Sequence, residues 1–108
     1  MPWQEFEVRI REIAAARWAC NATTQTIAGV KCDCVLEPNS DRRIIVEITE
    51  ENNLSKVRTD IAKLWTVKNF FMTQVIYCTC YFVMKDMPTD SMREPQWGQI
   101  PLNVSLAP

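Results

Sequence analysis

GVKCDCVLEPNSDRRIIVEIT, residues 29–49, decides how the rest of the chain is arranged. It reads as a β-hairpin. Residues 30–36 and 44–48 are β-branched and apolar runs, and between them Glu37, Pro38, Asn39, Ser40 and Asp41 cluster as residues that tolerate tight backbone geometry. If the hairpin folds symmetrically about Ser40, facing residues have numbers that sum to 80, which sets Asp33 opposite Glu47. Directly opposed like charges destabilise a sheet, and one of the two resists ionising. A hard divalent cation offsets that cost, because Mg²⁺ is typically held by one or two carboxylates while it keeps several waters and a substrate phosphate in its shell. The competing reading is a register displaced by one residue, or both acids pointing into solvent, where they carry no chemistry.

Working outward, 108 residues make one domain with room for a single core. A hydrophobic fraction of 47% beside 23% charged residues excludes a disordered chain. The formal net charge of -1 is unlike that of a dedicated nucleic-acid binder, so any hold on phosphate has to come from a local patch or a larger assembly. No apolar run reaches membrane-spanning length, and Met1-Pro2-Trp3 with acids close behind is unlike a signal peptide. A cytoplasmic protein is expected.

The chain has five cysteines and no histidine. Cys32 and Cys34, like Cys78 and Cys80, are spaced to fall on one face of a strand, alternating with the face of Asp33 and so pointing away from the acids. A Cys₄ zinc site is one reading, although zinc knuckles usually separate their ligands by two to four residues. Buried free thiols in a reducing compartment are the favoured one.

Before the hairpin, residues 3–19 place Phe6, Ile10, Ile13, Ala14 and Trp18 at helical spacing, with Glu5, Arg9, Arg11, Glu12 and Arg17 on the other side. Glu7 sits at the edge of that apolar stripe. Residues 20–28 read as a short strand ending at Gly29. After the hairpin a polar break, Glu50 to Asn53, precedes a second helix capped by Asn53 and running to about residue 69. Its apolar stripe is Leu54, Val57, Ile61, Leu64 and Trp65, with Lys56, Arg58, Asp60 and Lys63 assigned to the other faces. Residues 74–84, QVIYCTCYFVM, read as a strand covered on both sides, and a right-handed crossover through the second helix makes it a parallel neighbour of residues 44–49. Residues 1–87 are therefore the expected core domain. Residues 88–108, with a short helical turn at 90–93 and prolines at 88, 95, 101 and 108, are expected to be an extension or a linker to a further domain.

The order helix, two or three antiparallel strands, helix, strand comes with short motifs. Phe6-Glu7 lies in the first helix, Gly29, Val30 and Asp33 form a GVxxD segment, and Ile45-Val46-Glu47-Ile48 follows the turn. Over about residues 6–84 this resembles the PD-(D/E)xK nuclease superfamily, most of all the Mrr-type restriction enzymes and archaeal Holliday-junction resolvases. The resemblance implies an α/β restriction-endonuclease-like αβββαβ core, a mixed central sheet flanked by helices. It also implies a Mg²⁺-dependent (or Mn²⁺-dependent) endonuclease acting on DNA, as the cleavage module of a restriction or anti-phage system and as a homodimer. Asp33 and Glu47 match the family's two metal-binding acids, and Glu7 the helix-one glutamate that often completes the site.

The family's lysine, two residues after the strand glutamate, is Thr49 here. A hydroxyl supplies no positive charge to the transition state, so either the chemistry is lost or another lysine serves. Lys31 is one candidate, since the sum-to-80 pairing sets it opposite Thr49. Lys56, in the first turn of the second helix, is the other, and a solvated surface lysine is the plain alternative for both. The competing functional class is a degenerate nuclease fold kept for protein contacts, in which Met92, Trp97 or the proline-rich tail meets a partner.

Overall fold

The computed structural model describes residues 3–49 and 54–84. The expected cap at Asn53, the helical turn at 90–93, Met92, Trp97 and the 88–108 extension lie outside them. The described chain is α/β in the order α1 (Trp3–Trp18), β1 (Ala22–Ile27), β2 (Val30–Asn39), β3 (Arg42–Thr49), α2 (Leu54–Thr73) and β4 (Tyr77–Met84). One four-stranded sheet has the order β1-β2-β3-β4. The first three strands are antiparallel neighbours, and β4 runs parallel to β3, as the crossover through α2 requires.

β3 is the central strand, and every residue from Ile44 to Thr49 is buried. Its side chains alternate between two cores. Ile44, Val46 and Ile48 join Phe6, Ile10 and Ala14 of α1 on one face, together with Cys34, Leu36 and Val83. Ile45 joins Val57, Ile61, Leu64, Val67 and Phe71 of α2 on the other, with Val35, Cys78, Cys80 and Phe82. Each helix thus presents one apolar stripe to one side of a single sheet.

The hairpin is tighter than the sequence suggests. Strand pairing continues to Asn39 opposite Arg42, leaving Ser40 and Asp41 as a two-residue turn in place of a five-residue loop. The Asn39 side-chain oxygen accepts from the Asp41 backbone N–H at 3.2 Å, and Arg43 Nη1 donates to the Asn39 carbonyl at 3.1 Å and to the Arg42 carbonyl at 2.9 Å. The Tyr77 N–H donates to the Asp41 carbonyl at 2.9 Å, tying the start of β4 to this turn.

Both helices stop in the same way. At the end of α1 the Cys20 N–H reaches the Ala15 carbonyl at 3.2 Å, with Ala19 in the left-handed region at φ 53°. At the end of α2 the Ile76 N–H reaches the Phe71 carbonyl at 3.0 Å, with Val75 at φ 58°. These are Schellman-type ends, which normally place glycine at the left-handed position. The α2 helix runs four residues past the expected 69, and this turn occupies what the sequence suggests is the start of β4.

A β-bulge interrupts the β1–β2 ladder. Gln25 pairs with Cys32 but Thr23 pairs with Val35, so three residues of β2 span what two residues of β1 cover. Cys32 and Val35 consequently both enter the α2-side core, while Cys34 enters the α1-side core.

Candidate functional site

The β2–β3 register pairs Cys34 with Val46, Val35 with Ile45 and Leu36 with Ile44, each pair summing to 80 as the symmetric hairpin requires. One step further along the strands lie Asp33 and Glu47, near enough for Asp33 to act on the Glu47 carboxyl. Asp33 is half-buried, and Glu47 is 9% exposed. Alternation from Ile45 puts Glu47 on the α2 side of the sheet, with Thr49 next along that face. Burial, followed by the hydrogen bond to Asp33, the charge of Asp33 and that of Asp60, pushes the Glu47 carboxyl up to about 9, against a smaller opposing pull from Lys63.

Asp60 was not foreseen here. It lies in the second turn of α2 and is 1% exposed, packed inward beside the stripe of Val57, Ile61 and Leu64. Lys56 Nζ donates to its Oδ1 at 2.9 Å, and Lys63 Nζ lies 3.8 Å from the same oxygen. Asp60 Oδ2 is buried with no hydrogen-bond partner among the described residues. Lys56, Asp60 and Lys63 stand at i, i+4 and i+7, one line along a helix, beside an apolar stripe of the same period. That spacing was the readable trace of a charged line at the edge of the buried face.

The sequence-derived candidates divide. Asp33 and Glu47 converge, and Lys56 is brought to the site through Asp60. Lys31 is not. The bulge changes the alternation between Cys32 and Asp33, so Lys31 alternates with Val30 and Cys32, which pack on the α2 side, and its exposed side chain is on the face opposite Asp33. Glu7 is not brought there either. It sits on α1, against the other face of the sheet, and its charge is felt at Cys34, whereas the charges acting on Glu47 come from Asp33, Asp60 and Lys63. Thr49 is 4% exposed and lies where the resemblance expects lysine.

The cysteines also differ from expectation. Cys78 and Cys80 share a face, their thiols 3.9 Å apart, but the bulge carries Cys32 to that same side, and only Cys34 points away from the acids. Burial, then the nearby charges of Glu47 and Asp33, pushes the Cys32 thiol up to about 11. All five cysteines are free, and four are buried. Among the described residues no group of three or more His, Cys, Asp or Glu side chains is arranged to enclose a metal ion. The Asp33–Glu47 pair is therefore an arrangement of two carboxyls, one of them buried.

No family model, curated protein or solved structure matches this chain.

Proposed function

We propose that the chain is a metal-dependent phosphodiesterase of restriction-endonuclease-like fold, hydrolysing DNA with Mg²⁺ or Mn²⁺ held between Asp33 and Glu47. The observation that carries this reading is the placement of those two acids one step past the Cys34–Val46 pair, on the α2 side of the sheet and near enough to act on each other. A proton is the smallest cation that can relieve two opposed carboxylates, and a hard divalent ion relieves them more fully. The donor set agrees with that choice, since it offers only oxygens and the chain contains no histidine. The location agrees too: the acids lie toward the carboxyl end of β3, where open α/β sheets commonly bind ligands.

A divalent ion bound there supplies polarisation of a phosphoryl oxygen and a lowered pKa for the attacking water. The protein's own residues do the remainder. Glu47 would give up its proton when the ion binds and, with Asp33, fix the position of the charge. Lys63 is half-exposed, and its ammonium acts on Glu47, which makes it the better placed of the α2 lysines to face a phosphate in the role left open by Thr49. Lys56 is committed to Asp60 at 2.9 Å. A homodimer cutting both strands of a duplex, and a cytoplasmic setting, complete the reading; among the described residues no helix is long and apolar enough to cross a membrane.

The test is cleavage of supercoiled and linear DNA with Mg²⁺ or Mn²⁺. Wild type should nick or cut, Asp33→Ala and Glu47→Gln should not, and Lys63→Ala should lose more activity than Lys56→Ala. DNA left intact by wild type under both cations would sink the reading. It would favour the second one, a degenerate fold that serves as a contact module. That reading has its own support in buried Thr49 and in the exposed Met72, Val75 and Tyr77 around the α2–β4 turn.

A further inference from the structure

The described residues contain three features outside the acid pair that invite a role. One is the thiol cluster of Cys32, Cys78 and Cys80, sealed in the core. Another is the exposed apolar corner at Met72, Val75 and Tyr77. The third is Asp60, which alone of these three carries an unmet bonding requirement, as Arg42 Nε does elsewhere.

The two lysines that neutralise Asp60 converge on the same oxygen, Oδ1, at 2.9 and 3.8 Å. Oδ2 is left buried and unpartnered. Leaving one buried acceptor unsatisfied is a penalty that folded proteins rarely keep without a reason. Asp60 is buried on α2 against the side of the sheet that also bears Glu47. Its environment thus sets an unpartnered oxygen on the same side as the pair of acids, and the group that would satisfy all three is positively charged or donates a hydrogen bond while attached to a cation. Direct ligation by three carboxylates does not fit, because no group of three acids is arranged to enclose an ion among the described residues. Mg²⁺ and Mn²⁺ retain waters in their shells, and carboxylates that hold such waters tune affinity from outside the coordination sphere.

We infer that Asp60 is an outer-sphere positioning residue, its Oδ2 accepting a hydrogen bond from a water carried by the divalent cation that Asp33 and Glu47 bind. The inference rests on the reading of those two acids as cation ligands. Lys56 holds Asp60 in place through Oδ1, which leaves its Oδ2 unpartnered.

The experiment is Mn²⁺ binding to the full chain without DNA, followed by electron paramagnetic resonance of the free ion, for wild type, Asp60→Asn and Asp33→Asn. Circular dichroism checks that each variant is folded. Asp60→Asn should bind Mn²⁺ about 10-fold to 100-fold more weakly, the usual cost of losing an outer-shell partner, and Asp33→Asn should lose binding. A folded Asp60→Asn with wild-type affinity overturns the inference and leaves the nuclease reading standing. Wild type that binds no Mn²⁺ overturns both. Weakened binding in Asp60→Asn, with no DNA cleavage by wild type, supports the inference and removes the nuclease reading. If Asp60→Asn does not fold, the side-chain carboxyl ¹³C resonances of the wild type decide during a Mg²⁺ titration. Asp60 should shift together with Asp33; a shift of Asp33 alone overturns the inference.

Discussion

At the scale of single residues, the raised Glu47 carboxyl has a measurable consequence for stability. The Glu47 carboxyl is held at about 9 in the folded protein against an ordinary 4.5. Between those values the folded state keeps a proton that the unfolded chain releases. The unfolded state binds fewer protons there, so stability falls as pH rises through this window and is fully present only below it. Urea unfolding in the presence of a chelator should show a free energy that declines from pH ~5 to ~9, and Glu47→Gln should flatten that decline. Mg²⁺ should restore more stability at the alkaline end, where no proton has to be displaced. The thiols give a second check. Cys20 is half-buried while Cys32, Cys34, Cys78 and Cys80 are buried, so Ellman's reagent should modify one thiol rapidly in the native protein and the other four only on unfolding. The placement of Asp33 beside Glu47 was legible because strand pairing is local, although the two-residue turn reaches that register only through an irregularity between Leu36 and Asn39. The burial of Asp60 was not, because Lys56, Asp60 and Lys63 read as a solvated line until α2 docks and decides which edge of its stripe faces the sheet.

At the scale of elements, the chain's two glycines leave both helix ends to other residues. Val75 is the costlier substitute. It is β-branched, at φ 58°, and 88% exposed, so its side chain gains little from burial while the backbone carries the left-handed penalty. Val75→Gly should stabilise the protein by about 1 kcal/mol, read as a higher urea midpoint with an unchanged slope. The contact between Phe71 and Ile76 that accompanies this helix end should be retained, since both pack against the α2-side core. Nothing in the sequence near residue 75 announces a helix end, which is why the strand seemed to begin at 74. The bulge was hidden for a related reason. Residues 32–35 contain no glycine, and their alternation looks regular; only the mismatch with β1 reveals the extra residue that turns Lys31 away from Asp33.

At the scale of the whole molecule, one sheet separates two cores that share β2, β3 and β4. Ile10→Ala on the α1 side and Leu64→Ala on the α2 side should each cost about 2–5 kcal/mol. The two residues have no common partner across the sheet, so their effects should add to within about 0.5 kcal/mol in the double variant, if that still folds. Far-ultraviolet circular dichroism and tryptophan fluorescence should report one coincident transition in urea, because neither helix can leave without exposing the strand between them. The overall arrangement was the most readable part of the chain. Helical periodicity in residues 3–19 and 54–69, together with an apolar run after the second helix, was enough to require the parallel crossover.

The reverse turn at Ala28 and Gly29 sits at the same end of the sheet as the acids, because β2 begins where β3 finishes. Both of its residues are left-handed, at φ 52° and 78°, the conformation of a stiff two-residue loop, and both are exposed. From Asp33 to this tip is about 13 Å of extended strand. If the carboxyls act on DNA as proposed, the tip stands as a parapet at their end of the sheet, and short peptide grafts there offer a means of retuning which shapes gain entry without altering the acids themselves.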